Sequence, residues 1–186
     1  SVWRRDPDKI VEGEIPDPET PQTAVEAALT GHLVFTSVHA NNSIDGIERF
    51  PHMGLHRDHF VSALNCVMAQ RLVRMICPEC KQEISVDDDL IELSGIDMLN
   101  DSGQKWYEGA GCAHCNGTGF RGRKAITELL VLTPRIRQLI VDRRPADELL
   151  AAAIEEGMIT LRQSAIARVL GGETTLKELY RCTFVE

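Results

Sequence analysis

Two short apolar runs near the start of the chain predict neighbouring strands of one sheet. Residues 10–15 lie between proline-containing turns, and the β-prone run at residues 33–39 follows. Between them, Thr20 and Pro21 are typical of a helix start, and apolar residues recur on one helical face as far as Gly31. A strand, a helix and a second strand in this order predict a βαβ unit, whose strands pair in parallel.

The rest of the chain is predicted to be largely helical. The predicted elements are one long amphipathic helix at residues 58–76, a surface turn at residues 87–89 that leads into a short helix, a strand at residues 124–132, and helices beyond residue 134. Two pairs in the last helices have capping-box spacing: Thr160 with Gln163, and Thr175 with Glu178. The pattern predicts an α/β fold with a helical C-terminal tail.

Composition narrows the class of protein. The 186 residues are 43% hydrophobic and 26% charged, which is ordinary for a globular protein, and the formal net charge of −8 argues against a nucleic-acid-binding surface. No apolar run is long enough to cross a bilayer, and the first residues do not have the basic-then-apolar pattern of a leader. Because the chain does not start with methionine, we expect it to be a fragment.

Four of the six cysteines have the spacing of a metal site. Cys77 and Cys80 form one Cys-x-x-Cys turn, and Cys112 and Cys115 form a second one after 31 intervening residues. Two such turns can place four thiolates tetrahedrally around zinc at about 2.3 Å, with no open position for water. The sequence therefore predicts a structural zinc ion in a reducing compartment. An iron–sulfur cluster, a redox dithiol and unrelated buried cysteines are the alternatives.

The two remaining cysteines, Cys66 and Cys182, have no partner at ligand spacing. We expect them to be packed thiols. Three arginines, Arg49, Arg71 and Arg74, are candidates for contacts with phosphate or a neighbouring subunit, with a solvated or ion-paired position as the alternative.

Glu14 and His39 end the two predicted parallel strands. In open α/β sheets, the carboxyl ends of the strands line the ligand crevice. A glutamate there can activate a water molecule, and an imidazole can donate to a phosphate oxygen. A surface carboxylate and a capping histidine are the alternative interpretation of the same two residues.

Three longer motifs resemble one protein family. Residues 4–20 resemble the Walker B region of the type II secretion and type IV pilus-assembly ATPases, and residues 30–42 resemble their histidine box. Residues 69–74, followed by the four cysteines, resemble the branch that contains the general secretion pathway E protein and the pilus extension motor. The chain departs from the family pattern at Glu12, Pro16, Pro21 and Pro51.

The resemblance implies a fold, a reaction and partners. It implies the C-terminal part of a RecA-like ATPase core, with an inserted zinc module and a helical tail. Glu14 matches the catalytic glutamate that polarises the attacking water, and His39 matches the residue that contacts the γ-phosphate. The family uses ATP with magnesium and forms hexamers. Its members act on platform proteins from the cytoplasmic face of the bacterial inner membrane.

One motif of such an ATPase is absent from the sequence. No G-x-x-x-x-G-K-[ST] phosphate-binding loop occurs, so we expect the fragment alone to be inactive. The predicted domains are the ATPase-core part at residues 1–76, the zinc module at residues 77–123 and the strand-plus-helical part at residues 124–186. A zinc-dependent module that binds protein or nucleic acid is the alternative function, because residues 112–119 match the zinc unit of J-domain co-chaperones.

Overall fold

The computed structural model describes residues 8–13, 19–96 and 103–183, so Glu14 lies outside the described residues. The strands and helices in chain order are β1 (Lys9–Glu12), α1 (Glu19–Leu29), β2 (Leu33–Thr36), α2 (Ser43–His52), α3 (Arg57–Ala63), β3 (Cys66–Ile76), β4 (Lys81–Ile84), α4 (Asp88–Ser94), β5 (Trp106–Gly109), β6 (Phe120–Val131), α5 (Pro134–Val141), α6 (Ala146–Glu155), α7 (Leu161–Leu170) and α8 (Leu176–Thr183). Short 3₁₀ turns at Pro78–Cys80 and Ala113–Cys115 carry the cysteine pairs.

The βαβ unit predicted from the sequence is present. Strands β1 and β2 pair in parallel, with Lys9 opposite Leu33 and Glu12 opposite Thr36. Helix α1 connects them and ends before Gly31, whose φ of +100° suits glycine. Both strands are shorter than the apolar runs that predicted them, and α1 begins at Glu19 rather than at Pro21.

By packing, the chain forms two compact units. The first contains Ser1–Ala69 and Leu129–Met158. Its core lies among α2, α3, α5 and α6, and the rings of Phe50 and Phe60 stack there with centroids 5.3 Å apart. The buried apolar residues of this core are Ile44, Ile47, Phe50, Phe60, Val61, Leu130, Leu132, Ile136, Ile140, Leu149, Ala152, Ala153 and Met158.

The second compact unit contains Gln70–Glu128 and Ile159–Glu186. Strands β4 and β5 pair in the antiparallel direction, with α4 between them in the sequence, and α8 contacts both α7 and α4. The Tyr180 hydroxyl donates to the Leu90 carbonyl at 2.9 Å, which ties α8 to α4. Among the buried apolar residues of this unit are Val73, Ile91, Trp106, Ile126, Leu161, Ala165, Val169, Leu176 and Leu179.

The single long helix predicted at residues 58–76 is wrong. Only α3 at the start of this segment is helical, and β3 occupies the rest and pairs with β6. Side chains of β3 alternate between the two faces, so Val73 is fully buried whereas Met68 is 62% exposed and Leu72 is 45% exposed. Pairing with a strand far along the chain outweighs the helical spacing of the apolar residues.

Two hydrogen bonds show how β3 and β6 run. The Leu132 N–H, just after β6, donates to the carbonyl of Asn65, just before β3. At the other end, the Cys77 N–H, just after β3, donates to the carbonyl of Gly119, just before β6. The start of each strand therefore lies beside the end of the other, which makes the pair antiparallel.

Several smaller expectations concern caps and thiols. The capping box of Thr160 and Gln163 is confirmed, but only the Thr175 half of the second box forms, because the Glu178 carboxylate binds arginines instead. Cys182 is buried as expected. The expectation of a packed thiol is wrong for Cys66, which is exposed because it lies on the outward face of β3.

Three of the four departures from the family pattern fall in described residues. Glu12 is half-buried at the end of β1. Pro21 lies in the first turn of α1 and Pro51 in the last turn of α2; the first turn tolerates proline because its N–H groups need no helical partner. Pro16 lies outside the described residues.

Two expectations concern larger features of the chain. None of the described helices combines the length and apolar composition that a bilayer crossing requires. The division into domains at residues 1–76, 77–123 and 124–186 stays a prediction.

Candidate functional site

The structure brings together Gly13 and Ser37, the residues directly after β1 and β2. Glu12 and Thr36, the last residues of these strands, lie opposite each other in the parallel pair. One residue further along each strand, the Ser37 hydroxyl donates to the Gly13 carbonyl at 2.6 Å. Glu14 follows Gly13 directly, although it lies outside the described residues.

His39 lies on the loop that leads from β2 to α2, and its side chain is exposed. The Arg49 guanidinium, from α2, donates to the backbone carbonyl of His39. Helix α2 itself begins with Asn42, whose side chain accepts from the Asp45 N–H at 2.8 Å. The middle and the end of the loop are therefore held by contacts with the helix that follows it.

The other two candidate arginines have partners in the second compact unit. The Arg71 guanidinium donates to the carbonyl of Cys182 at 2.6 Å. The Arg74 guanidinium forms an ion pair with the buried carboxylate of Glu178 at 2.8 Å and lies over the Phe120 ring, 4.2 Å from its centroid. The ion-paired alternative is therefore confirmed for Arg74.

Apolar side chains of β1 and β2 are strongly exposed in the described part of the chain. Val11 is 77% exposed, Phe35 is 54% exposed and Leu33 is 42% exposed, whereas Ile10 is buried. Strands of parallel sheets are usually covered on both faces. Only one face of this pair is covered by described residues.

The four predicted metal ligands meet at one point. The sulfur atoms of Cys77, Cys80, Cys112 and Cys115 all lie within 4.8 Å of one another. Cys77 and Cys112 are 3.9 Å apart, and Cys115 is 3.8 Å from both Cys80 and Cys112. Four thiolates about 2.3 Å from a tetrahedral zinc ion have sulfur–sulfur distances of about 3.8 Å, so the donor set and its spacing fit zinc.

Backbone N–H groups point at two of these sulfur atoms. The N–H groups of Cys112 and Gly119 each donate to the Cys115 sulfur at 3.2 Å, and the Gly111 N–H donates to the Cys80 sulfur at 3.3 Å. Such bonds favour the thiolate, which is the form that binds metal. The backbone N–H of Cys112, followed by that of Gly119, lowers the pKa of Cys115 to about 6, whereas burial raises the pKa of Cys80 to about 12.

Glycines let the two cysteine turns approach each other. A Cβ atom at Gly109 would lie 2.0 Å from the carbonyl oxygen of Gly119, and one at Gly119 would lie 2.4 Å from that of Gly109. Gly111 is equally confined, because its Cβ would lie 2.7 Å from the Gly117 carbonyl oxygen. The sequence patterns did not indicate Gly109 or Gly111, although both lie within three residues of Cys112.

The comparisons with known proteins match both the β1–β2 pair and the four clustered cysteines. Residues 1–181 match the family model described as type II/IV secretion system protein. The chain belongs to this family. Because the match includes β1 and β2 as well as the four cysteines, it accounts for the chain more fully than a separate zinc-dependent binding module.

Individual relatives are secretion and pilus-assembly proteins. The chain is 43% identical over 176 residues to the type IV pilus assembly ATPase PilB of Thermus thermophilus. This match covers 95% of the present chain and 20% of PilB. It is 38% identical over 184 residues to the type II secretion system protein E of Dickeya dadantii. This match covers 98% of the present chain and 36% of that protein. The chain thus spans about a fifth to a third of these relatives.

Solved structures of related ATPases have the same fold. The structure of the pilus retraction motor PilT with bound ADP matches with a TM-score of 0.63 and 25% identity, over 97% of this chain and 41% of that one. The ATPase DotB of Yersinia pseudotuberculosis matches with a TM-score of 0.64 and 22% identity, over 98% of this chain and 38% of that one. The predicted α/β class, that of a RecA-like ATPase core with a tetracysteine module, is confirmed.

Proposed function

We propose that this chain is part of a longer motor ATPase that powers type II secretion or type IV pilus assembly. Family membership and the named relatives support this proposal. Because the chain spans only part of those relatives, the longer protein would supply the phosphate-binding loop that the 186 residues lack. The chain by itself would then neither hold ATP tightly nor hydrolyse it.

In this proposal, the segments that follow β1 and β2 face the nucleotide. The single observation that carries it is the parallel pairing of these strands, with Ser37 bonded to Gly13 just beyond their ends. Glu14 would polarise the attacking water, and His39 would contact the γ-phosphate of ATP bound with magnesium. The exposed position of His39 suits contact with a ligand held by another part of the protein.

The exposed apolar residues of β1 and β2 fit the same proposal. Val11, Leu33 and Phe35 would be covered by the remainder of the RecA-like core, since parallel strands are stable when both faces are packed. Covering them would also place the phosphate-binding loop beside the ends of these strands, where ligands bind in α/β folds.

The four clustered cysteines would hold a structural zinc ion. With four thiolate ligands, the ion has no position for water or substrate, so its contribution is to fold stability. The ion would link the end of β3, through Cys77 and Cys80, to the chain just before β6, through Cys112 and Cys115. Strands β4 and β5 lie between these two pairs in the sequence. Zinc would therefore add a cross-link where backbone hydrogen bonds, such as that from the Cys77 N–H to the Gly119 carbonyl, already bring these segments together.

The proposed assembly rests on the resemblance to the family. We propose that the longer protein forms a homo-hexamer on the cytoplasmic face of the bacterial inner membrane. There it would act on platform proteins of the secretion or pilus machine, with subunit motion driven by ATP hydrolysis. The net charge of −8 gives no reason to add a nucleic acid to these partners.

Replacing Glu14 by glutamine in the longer protein tests the proposed reaction. We expect Glu14→Gln to lower ATP turnover by at least about 100-fold, because glutamine cannot act as the base. ATP binding should be retained. Glu12→Gln, two residues earlier and half-buried at the end of β1, is the matched control and should hydrolyse ATP normally. Undiminished hydrolysis by Glu14→Gln would remove this residue from the mechanism.

A further inference from the structure

The second compact unit contains a cavity that the candidate site does not use. Its volume is about 460 Å³, and every described residue that lines it belongs to this unit. Cavities of this size, on the order of 300 to 1,000 Å³, hold small organic ligands in proteins. Much of the lining is apolar, with side chains from Ile84, Leu90, Phe120, Val169 and Leu176. The cavity therefore suits a ligand whose body is apolar.

Trp106 lines this cavity and offers a hydrogen-bond donor to it. The residue is only 7% exposed, and its indole N–H has no acceptor among the described residues. In the described part of the chain, no fully buried side-chain nitrogen lacks a partner, so the indole nitrogen must reach accessible space. The accessible space that Trp106 borders is the cavity. Because a buried indole normally bonds its N–H, this donor is available to a ligand.

Helix α8 begins at the same cavity, which Thr175, Leu176 and Lys177 line. The Thr175 hydroxyl accepts from the Glu178 N–H at 3.1 Å, whereas the N–H groups of Leu176 and Lys177 come too early in the helix to have a helical acceptor. The start of a helix carries partial positive charge, and the exposed Lys177 adds an ammonium group. The start of α8 and the Trp106 indole therefore both favour an anionic group.

Two carboxylates limit the charge that the cavity can accept. Asp87 and Glu108 also line it. The Asp87 carboxylate accepts from the Asp89 N–H at 3.1 Å, and that of Glu108 accepts from the Gln82 amide at 3.4 Å. Arg74, the remaining charged residue of the described lining, is paired with a buried glutamate. A second negative charge on the ligand would be repelled by the two carboxylates, so the ligand should carry one.

We propose that this cavity binds an aromatic carboxylate. The ring would lie against the apolar lining, and the carboxylate would accept from the Trp106 indole and from the start of α8. Two sources have this chemistry: a free aromatic acid, and the last residue of a polypeptide that ends in an aromatic side chain. The inference goes beyond the proposed function and does not depend on it, because neither the candidate nucleotide residues nor the four cysteines line the cavity.

Two probes separate these sources. The acids 3-phenylpropionate and N-acetyl-phenylalanine share the same ring and carboxylate spacing, and they differ only in the acetamido group that mimics a peptide chain. Calorimetric titration of the purified 186-residue chain measures their binding. We expect at least one acid to bind with a Kd of about 1 mM or lower, and its uncharged amide to bind at least about tenfold more weakly. A preference of about fivefold or more for N-acetyl-phenylalanine would identify a polypeptide end as the source, and a smaller one a free acid.

Three variants locate the site. Trp106→Phe keeps an aromatic ring but removes the donor, so it should weaken binding of the acid by about tenfold and that of the amide far less. Lys177→Gln should weaken binding of the acid by about fivefold at low salt and by less at high salt. Ser85→Trp places a large side chain at an exposed position of the lining and should block the acid and the amide alike. Arg123→Gln removes an exposed cation outside the described lining and, as the matched control for Lys177→Gln, should bind like wild type.

The melting temperature of each variant shows whether it folds. If Trp106→Phe does not fold, Lys177→Gln and Ser85→Trp still test the site, because both positions are exposed. The inference is overturned if neither acid binds at about 10 mM, or if an acid and its amide bind equally well. It is also overturned if Ser85→Trp binds the acid as wild type does.

Discussion

The carboxylate of Glu178 in α8 accepts three hydrogen bonds from Arg74 in β3, one from its backbone N–H and two from its guanidinium, at 2.8 to 3.0 Å. Arg181 donates to both oxygens of the same carboxylate. The Glu178 side chain is 0% exposed. A buried charge is tolerated only when it is paired in this way, so Glu178 depends on both arginines.

Replacing Glu178 by glutamine should therefore destabilise the chain at neutral pH. We expect Glu178→Gln to lower the free energy of unfolding by about 3 kcal/mol, because it breaks a buried ion pair and leaves Arg74 without its partner. Urea unfolding of the 186-residue chain at pH 7 measures this. The control is Glu155→Gln, which breaks the exposed ion pair with Arg135 and should cost less than about 0.5 kcal/mol.

The same variant should respond to acid in a defined direction. Burial by itself raises the pKa of the Glu178 carboxyl, but hydrogen bonds from Arg181 and Arg74 outweigh it and hold the pKa at about 2, below the ordinary 4.5. Stability from a carboxyl with a lowered pKa is fully present above the unfolded value and is lost as the pH falls toward the folded one. The difference between wild type and Glu178→Gln should shrink between about pH 4.5 and pH 2. A difference that stays constant across this interval would contradict the ion-pair account.

A second prediction concerns the metal. The purified chain should contain one zinc ion, and Cys112→Ser should weaken zinc binding by more than about 100-fold because it removes one of four thiolate ligands. The melting temperature should fall together with the zinc content. Elemental analysis and thermal unfolding of the same samples measure both quantities.

Cys66→Ser is the matched control for the metal prediction. Cys66 is exposed and lies outside the cluster of four, so its replacement should change neither zinc content nor melting temperature. Wild-type chain that holds iron rather than zinc, or full zinc content in Cys112→Ser, would show that the site is not the structural zinc centre proposed.

A third prediction concerns the turn between α7 and α8. A Cβ atom at Gly172 would lie 2.8 Å from the Tyr107 ring and 2.9 Å from the Lys81 ammonium, and φ at Gly172 is +63°. The Lys81 ammonium itself lies 4.1 Å from the centroid of that ring. We expect Gly172→Ala to cost about 3 kcal/mol of unfolding free energy, because backbone strain and overpacking add.

Gly157→Ala separates these two contributions. Gly157 also has a positive φ, +96°, but no heavy atom lies within 4 Å of the position that a Cβ atom would take there, so alanine brings strain alone. It should cost about 1 kcal/mol. Adding Tyr107→Ala to Gly172→Ala should recover part of the loss. Equal costs at the two glycines would mean that the contact with Tyr107 and Lys81 is unimportant.

The sequence predicted local features well where one segment determines them. The two parallel strands, the cap of α7 and the meeting of the four cysteines all follow from short patterns, because turn chemistry and ligand spacing act over a few residues. The prediction of a long helix at residues 58–76 was wrong because the structure of this segment depends on a distant partner strand. Val67, Met68 and Leu72 fit a helical face equally well, and the alternation seen in β3 became decisive only once β6 lay beside it.

For the candidate site, too, some features followed from the sequence and others only from the tertiary structure. The sequence by itself determined the family, the four cysteines that could hold a metal ion and the candidates Glu14 and His39, because these depend on residue types in a fixed order. Only the tertiary structure decided that Ser37 binds the Gly13 carbonyl, that Arg49 donates to the His39 carbonyl, and that Arg74 pairs with Glu178. Each of these contacts joins residues brought together by packing, and the physical reason is that a side chain's partner depends on which distant element lies next to it.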